Sequence, residues 1–144
     1  MPLAAAAGFA INNYVLIVSG ALVGASGIIL TTLMWIPYIL NTIMVRGLTD
    51  AVGYPDNPKP LAPWAERMKK AHYNAVENLV MFAALVLMLN ALGISNATTV
   101  LACNVYFWAR LAHYLVYSAG IPWLRTLSFV VSWVCILALL WQQF

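Results

Sequence analysis

The sequence predicts an all-α membrane protein with four transmembrane helices in one domain, and its composition and charge distribution support this prediction. Of 144 residues, 64% are hydrophobic and only 8% are charged, and the mean hydropathy is +0.87. Nine of the eleven charged side chains fall between Arg46 and Glu77. The apolar stretches on either side are therefore long enough to cross a bilayer. This composition excludes a water-soluble enzyme, a nucleic-acid-binding domain and a disulfide-bonded secreted module.

The first predicted helix covers about residues 14–44, which is more than the ~20 residues needed to cross the hydrocarbon core. A helix of this length should tilt, kink or protrude. Pro37 has no backbone N–H to donate and is the expected site of a kink. The first ten residues contain no basic side chain, so we expect a retained helix rather than a cleaved signal peptide.

Prolines and glycines mark the other boundaries. The segment that follows the first helix contains four prolines and two glycines, which is typical of a loop. Gly93 is placed to end the second helix, and Pro122 suits the first turn of the fourth. The predicted elements are therefore a loop over about 47–63 and helices over about 64–92, 97–118 and 122–142.

The basic residues predict the orientation in the membrane. All seven lie nearer to the face that carries the first and third loops. The positive-inside rule then places these two loops in the cytoplasm and both termini outside. The pattern leaves open whether the membrane is bacterial or belongs to an organelle. Cys103 and Cys135 lie far apart in apolar stretches, so we expect small core side chains rather than a redox pair.

Two charged residues lie inside predicted helices. At ~1.5 Å per residue, Glu77 lies on the order of 10 Å inside the cytoplasmic end of the second helix, and Arg110 lies at a similar depth in the third. A charge near the centre of a span costs about 2.5 to 3.5 kcal/mol on insertion scales, so it normally faces the interior of a bundle. The shared depth predicts an ion pair between them. A largely structural pair that joins two helices is the favoured interpretation.

Other polar residues recur around this pair at helical spacing. They form one stripe on the second helix, one on the third, and a short extension from the first turn of the fourth. These residues are Lys70, Asn74 and Glu77; Arg110, His113 and Tyr117; and Arg125 and Thr126. The arrangement predicts a water-accessible pocket open to the cytoplasm. For His113, a hydrogen bond between helices is an equal alternative.

Together the eight residues of these stripes form a polar layer, and no metal site is predicted in it. The sequence has two histidines on separate helices and a single carboxylate at the same depth, and these do not make the usual ligand set.

Three segments together resemble the MAPEG family, the membrane-associated proteins in eicosanoid and glutathione metabolism. They are KAHYNAVEN (70–78), RLAHYLVY (110–117) and GIPWLRT (120–126). The resemblance extends over nearly the whole chain through the four helices and the large first loop. It implies a homotrimer that binds glutathione as co-substrate between subunits near the cytoplasmic side. A hydrophobic, lipid-like second substrate would arrive from the bilayer.

The resemblance also implies roles for individual residues. The positions that match glutathione-contacting positions of the family are Lys70, Asn74, Glu77, His113, Tyr117, Arg125 and Thr126, and Arg46 matches a basic residue at the end of the first helix. The chemistry of glutathione agrees with these roles. Cations suit its two carboxylates, and Glu77 suits its ammonium group. Arg125, at a helix N-terminus, would stabilise the thiolate, with a hydrogen bond to the sulfur from Thr126.

The chain departs from the prostaglandin E synthase branch of that family at several positions. Lys70 and Tyr73 stand where that branch has arginine, Thr126 stands for serine, and Phe129 stands for tyrosine. The loss of a guanidinium and a phenol argues against isomerase activity on prostaglandin endoperoxides. The sequence therefore predicts a glutathione transferase or peroxidase acting on hydrophobic electrophiles or lipid hydroperoxides. The alternatives are a non-catalytic lipid-binding accessory protein and, ranked last, a small proton-coupled exporter.

Overall fold

The computed structural model describes residues 27–144, and the helices in this part of the chain follow the predicted order. Residues 27–34 are helical and lead into the first complete element. The elements are α1 (Ile36–Val52), α2 (Pro63–Ala91), α3 (Ala97–Ala119) and α4 (Pro122–Trp141). The predicted start of the first helix, residues 14–26, and the predicted absence of a signal peptide lie outside the described residues.

Two interruptions break the first helical stretch. One is a turn at Trp35. Pro37 lies just beyond it, in the first turn of α1, where its missing N–H costs no helical hydrogen bond. The other is Gly47, with φ 79° and ψ 164° inside α1. Helical residues continue past Gly47 to Val52, so the helix extends beyond the predicted end near residue 44.

The turns between the last three helices are short because local side chains and glycines complete them. Gly93 follows α2 with φ 67°. Asn96 caps α3, since its side chain accepts from the Thr99 amide at 3.0 Å and its own amide donates to the Thr99 hydroxyl at 3.1 Å. Gly120, with φ 80°, ends α3 in the left-handed conformation. These turns make α2, α3 and α4 antiparallel neighbours.

The main core lies among α2, α3 and α4. Phe82 of α2 stacks on Tyr106 of α3 with 3.9 Å between ring centroids. The buried residues of this cluster are Phe82, Leu89, Ala102, Cys103, Tyr106, Cys135, Ile136 and Leu139. Both cysteines are buried and free, which agrees with their expected role as small core side chains.

The first helical stretch joins this bundle through hydrogen bonds from two tyrosines. Tyr114 of α3 donates to the Met34 carbonyl at 3.0 Å. Tyr38 of α1 bonds the Nδ1 atom of His72 on α2 at 2.9 Å. Both tyrosines are buried, so these bonds fix residues 27–34 against α3 and α1 against α2.

The described helices carry a largely apolar outer surface. Three stretches are long and apolar enough to cross a membrane: Gly27–Val52, Pro63–Ala91 and Pro122–Trp141. Large apolar side chains project outward from the bundle, among them Trp108 and Trp133. Side chains of this kind are stable against lipid and unfavourable in water. The chain is therefore a multi-pass integral membrane protein.

Candidate functional site

Arg110 is the most deeply buried charged residue of the predicted polar layer. It lies on α3 and is 5% exposed. One of its terminal nitrogens donates to Oδ1 of Asn74 on α2 at 2.7 Å. The structure therefore brings together two residues that the sequence placed in adjacent stripes.

Glu77 is exposed on α2, and among residues 27–144 no ion pair joins it to Arg110. The ion pair predicted from their shared depth is thus not formed within the chain. Depth along two helices fixes the height of a side chain but not the direction in which it points. The amide of Asn74, one turn earlier on α2, occupies the position that a carboxylate was expected to fill.

His113 links α3 to the start of α4. Its Nδ1 lies 2.9 Å from the backbone carbonyl of Arg125. Because a carbonyl only accepts, Nδ1 carries the proton. The hydroxyl of Ser128 donates to the same carbonyl at 2.9 Å. The hydrogen bond between helices that was one interpretation of His113 is therefore present, and it holds the backbone of the predicted catalytic arginine.

The side chain of Arg125 is fixed by an aromatic contact. Its guanidinium carbon lies 4.7 Å from the centroid of the Tyr117 ring, within the range of a cation–π interaction. Tyr117 in turn meets the His113 ring edge to face, with 5.5 Å between centroids. Arg125 is partly exposed and lies in the first turn of α4. The guanidinium is thus accessible at a helix N-terminus, where an anion is favoured.

Thr126 is exposed beside Arg125. Its hydroxyl donates to the Pro122 carbonyl at 3.1 Å. A hydrogen bond from this hydroxyl to a thiol would require its rotation away from that carbonyl.

The remaining predicted residues lie on the surface of the single chain. Lys70, Tyr73 and Glu77 form an exposed stripe along α2, next to the partly buried Asn74. Arg46 lies at the other side of the loop, where its Nε donates to the Lys59 carbonyl at 2.7 Å. Within residues 27–144, Arg46 contacts none of the other predicted site residues.

Arg67 makes a contact between helices that the sequence did not predict. Its Nε donates to the Ser118 carbonyl at 3.0 Å, which connects the beginning of α2 to the last turn of α3. The cation lies at the negative end of that helix. A main-chain acceptor carries no signal in the sequence, so only the proximity of a basic residue and a helix C-terminus could have indicated this contact.

We predict that Gly120→Ala destabilises the protein more than Gly93→Ala. Both glycines have positive φ, at 80° and 67°, and a non-glycine residue in such a conformation costs about 1 to 3 kcal/mol. At Gly120 a Cβ would also lie 3.0 Å from Nε of Arg67, whereas at Gly93 it meets nothing within 4 Å. Thermal unfolding in detergent measures the difference. Equal losses for the two variants would show that Arg67 moves aside freely.

Within residues 27–144, no group of three or more His, Cys, Asp or Glu side chains is arranged to hold a metal ion. The chemistry available in this layer is that of two guanidinium groups, a lysine, an imidazole, hydroxyls and one carboxylate. These groups suit an anionic ligand that also carries an ammonium group.

A comparison with protein families matches residues 5–144 to the MAPEG family. The match covers essentially the whole chain. A search of curated proteins gives no match.

Proposed function

Because the chain belongs to the MAPEG family, we propose that it is an integral membrane glutathione transferase or peroxidase. It would activate the glutathione thiol as a thiolate that attacks hydrophobic electrophiles or lipid hydroperoxides. The observation that carries this proposal is the accessible Arg125 guanidinium in the first turn of α4, held over Tyr117.

The proposed chemistry at Arg125 follows from the ionisation of thiols. A free thiol has a pKa near about 8.5, and only its thiolate is a strong nucleophile. A guanidinium within contact distance favours the anionic form, and the N-terminus of α4 adds to this effect. His113 and Tyr117 act as positioning residues, since one holds the backbone of Arg125 and the other its side chain. The Thr126 hydroxyl would rotate away from the Pro122 carbonyl and donate a hydrogen bond to the sulfur.

The other groups of the layer would bind the ends of the tripeptide. Glu77 is exposed and has no partner among the described residues, so its carboxylate is free to accept the glutathione ammonium. Lys70 and Arg46 would bind the carboxylates of glutathione, and Asn74 would add a polar contact. We assign Arg110 to a structural role, because it is buried and bonded to Asn74.

The exposed stripe on α2 supports a homotrimer. Lys70 and Glu77 lie on a helix that is a candidate membrane span, and charged side chains are costly against lipid. A second copy packed on this stripe would remove both from lipid and enclose glutathione between subunits. In the proposed assembly each chain crosses the membrane four times, through the three candidate spans and α3. Its first and third loops are cytoplasmic, and the hydrophobic substrate enters from the bilayer.

The proposal is tested with purified protein in detergent or lipid. Glutathione is added, the ultraviolet absorbance of the thiolate is recorded, and turnover of a generic hydrophobic electrophile is measured. We expect a saturable thiolate signal and glutathione-dependent turnover. Absence of both would reject it in favour of a non-catalytic protein of the same family.

A further inference from the structure

The hydrogen bond between Arg110 and Asn74 determines which way the Asn74 amide points. A terminal nitrogen of Arg110 lies 2.7 Å from Oδ1 of Asn74. A guanidinium can only donate, so the amide atom that faces it must be the oxygen, which accepts. Oδ1 and Nδ2 leave the same planar carbon in different directions. With Oδ1 held at Arg110, the NH2 group of Asn74 is therefore directed away from the guanidinium.

This orientation is held from the interior of the bundle. Arg110 lies on α3 and is 5% exposed, so the packing of the helices restricts where its guanidinium can lie. Reversal of the amide would place N–H groups against N–H groups and would remove the acceptor of a buried donor. Arg110 thus allows one of the two amide orientations of Asn74.

The NH2 group of Asn74 belongs to the exposed stripe of α2. Asn74 is partly exposed and lies one turn after Lys70 and three residues before Glu77, on the same side of the helix. Within residues 27–144, its NH2 group donates to no other group. The stripe therefore presents two donors, at Lys70 and Asn74, followed by the acceptor Glu77.

We propose that Arg110 is a positioning residue that makes Asn74 a hydrogen-bond donor to a carboxylate of glutathione. This inference rests on the proposed function and extends it. An asparagine without a fixed orientation can donate or accept, whereas Asn74 with Oδ1 occupied only donates to the ligand. Lys70 supplies charge to the bound carboxylate, and Asn74 supplies a directed N–H. Arg110 itself does not touch glutathione.

The decisive variant is Asn74→Asp. Its carboxylate keeps an oxygen toward Arg110 and gives the buried guanidinium a counter-charge, but it replaces the outward NH2 group by an oxygen that repels a carboxylate. Thermal unfolding in detergent without glutathione should show an equal or higher Tm. Calorimetric titration should show glutathione affinity weakened about tenfold or more. Asn57→Asp makes the same change at an exposed loop residue and should alter neither quantity.

A second measurement asks whether Arg110 acts through Asn74. Arg110→Met is made in the wild type and in Asn74→Leu, and glutathione affinity is compared in the two backgrounds. We expect a several-fold loss in the wild type and no further loss in Asn74→Leu. In turnover assays the loss should appear in KM for glutathione far more than in kcat, because the thiol is activated at Arg125.

The outcomes separate this inference from the proposed function. A wild type that does not bind glutathione would reject both. A wild type that binds it, together with an Asn74→Asp variant of equal affinity or of lowered Tm, would overturn only the role given to Arg110. The same holds if Arg110→Met weakens binding equally in both backgrounds. Should Arg110→Met fail to fold, Asn74→Asp decides alone.

Discussion

Arg125→Leu is expected to remove nearly all of the thiolate signal of bound glutathione and to lower kcat/KM at neutral pH by about 30-fold. The variant removes the guanidinium that favours the ionised thiol, so the thiol pKa should return toward its free value near about 8.5. Only a few per cent of a thiol with this pKa is ionised at pH 7. Activity of the variant should therefore rise with pH over a range in which the wild type is already fully active.

Stopped-flow absorbance and a pH–rate profile measure this effect. The matched control is Lys59→Ala, which removes an exposed loop cation while leaving the backbone carbonyl that receives Arg46. Its thiolate signal and pH profile should match those of the wild type. A variant that loses Arg125 yet keeps the wild-type pH profile would assign thiol activation to another group.

Glu77→Gln should weaken glutathione binding by about 10- to 100-fold. A hydrogen bond to a charged group contributes about 1.5 to 3 kcal/mol, and 1.4 kcal/mol corresponds to a factor of ten. Glu77 is exposed and has no ion-pair partner among residues 27–144, so the substitution should leave unfolding in the absence of glutathione nearly unchanged. Calorimetric titration with glutathione, and with an analogue that lacks its amino group, isolates the contact. The analogue should bind the wild type and the variant equally.

The control for Glu77 is Asp56→Asn, which neutralises an exposed carboxylate in the loop and should preserve glutathione affinity. If Glu77→Gln lowered the unfolding temperature strongly without glutathione and affected both ligands alike, the carboxylate would be structural.

The sequence predicted the helices well because their ends depend on local chemistry. Gly93, Pro122 and the Asn96 cap act within one turn, and the structure places helix ends beside each of them. The first helix was less well predicted. Gly47 breaks its regular conformation, as a glycine before a proline-rich segment suggests, but a further helical turn follows to Val52.

Helical spacing predicted which polar residues share a stripe, but it did not predict the contacts that these residues make. Helical spacing placed Arg110, His113 and Tyr117 on one stripe of α3, and this spacing also brings His113 and Tyr117 to Arg125. The direction of Glu77 depends on how α2 rotates against α3, which spacing within one helix does not determine. The contacts that hold the site go to backbone carbonyls at Arg125 and Ser118, and any residue type can supply such an acceptor.

We propose that one glutathione molecule lies with its sulfur at Arg125 and its ammonium at Glu77. A structure of the assembled protein with bound glutathione would show whether the ligand has this position. We expect the tripeptide between these two side chains, enclosed by a second copy along the exposed stripe of α2. Glutathione bound elsewhere, or Arg125 and Glu77 directed into lipid with no cavity between them, would contradict it.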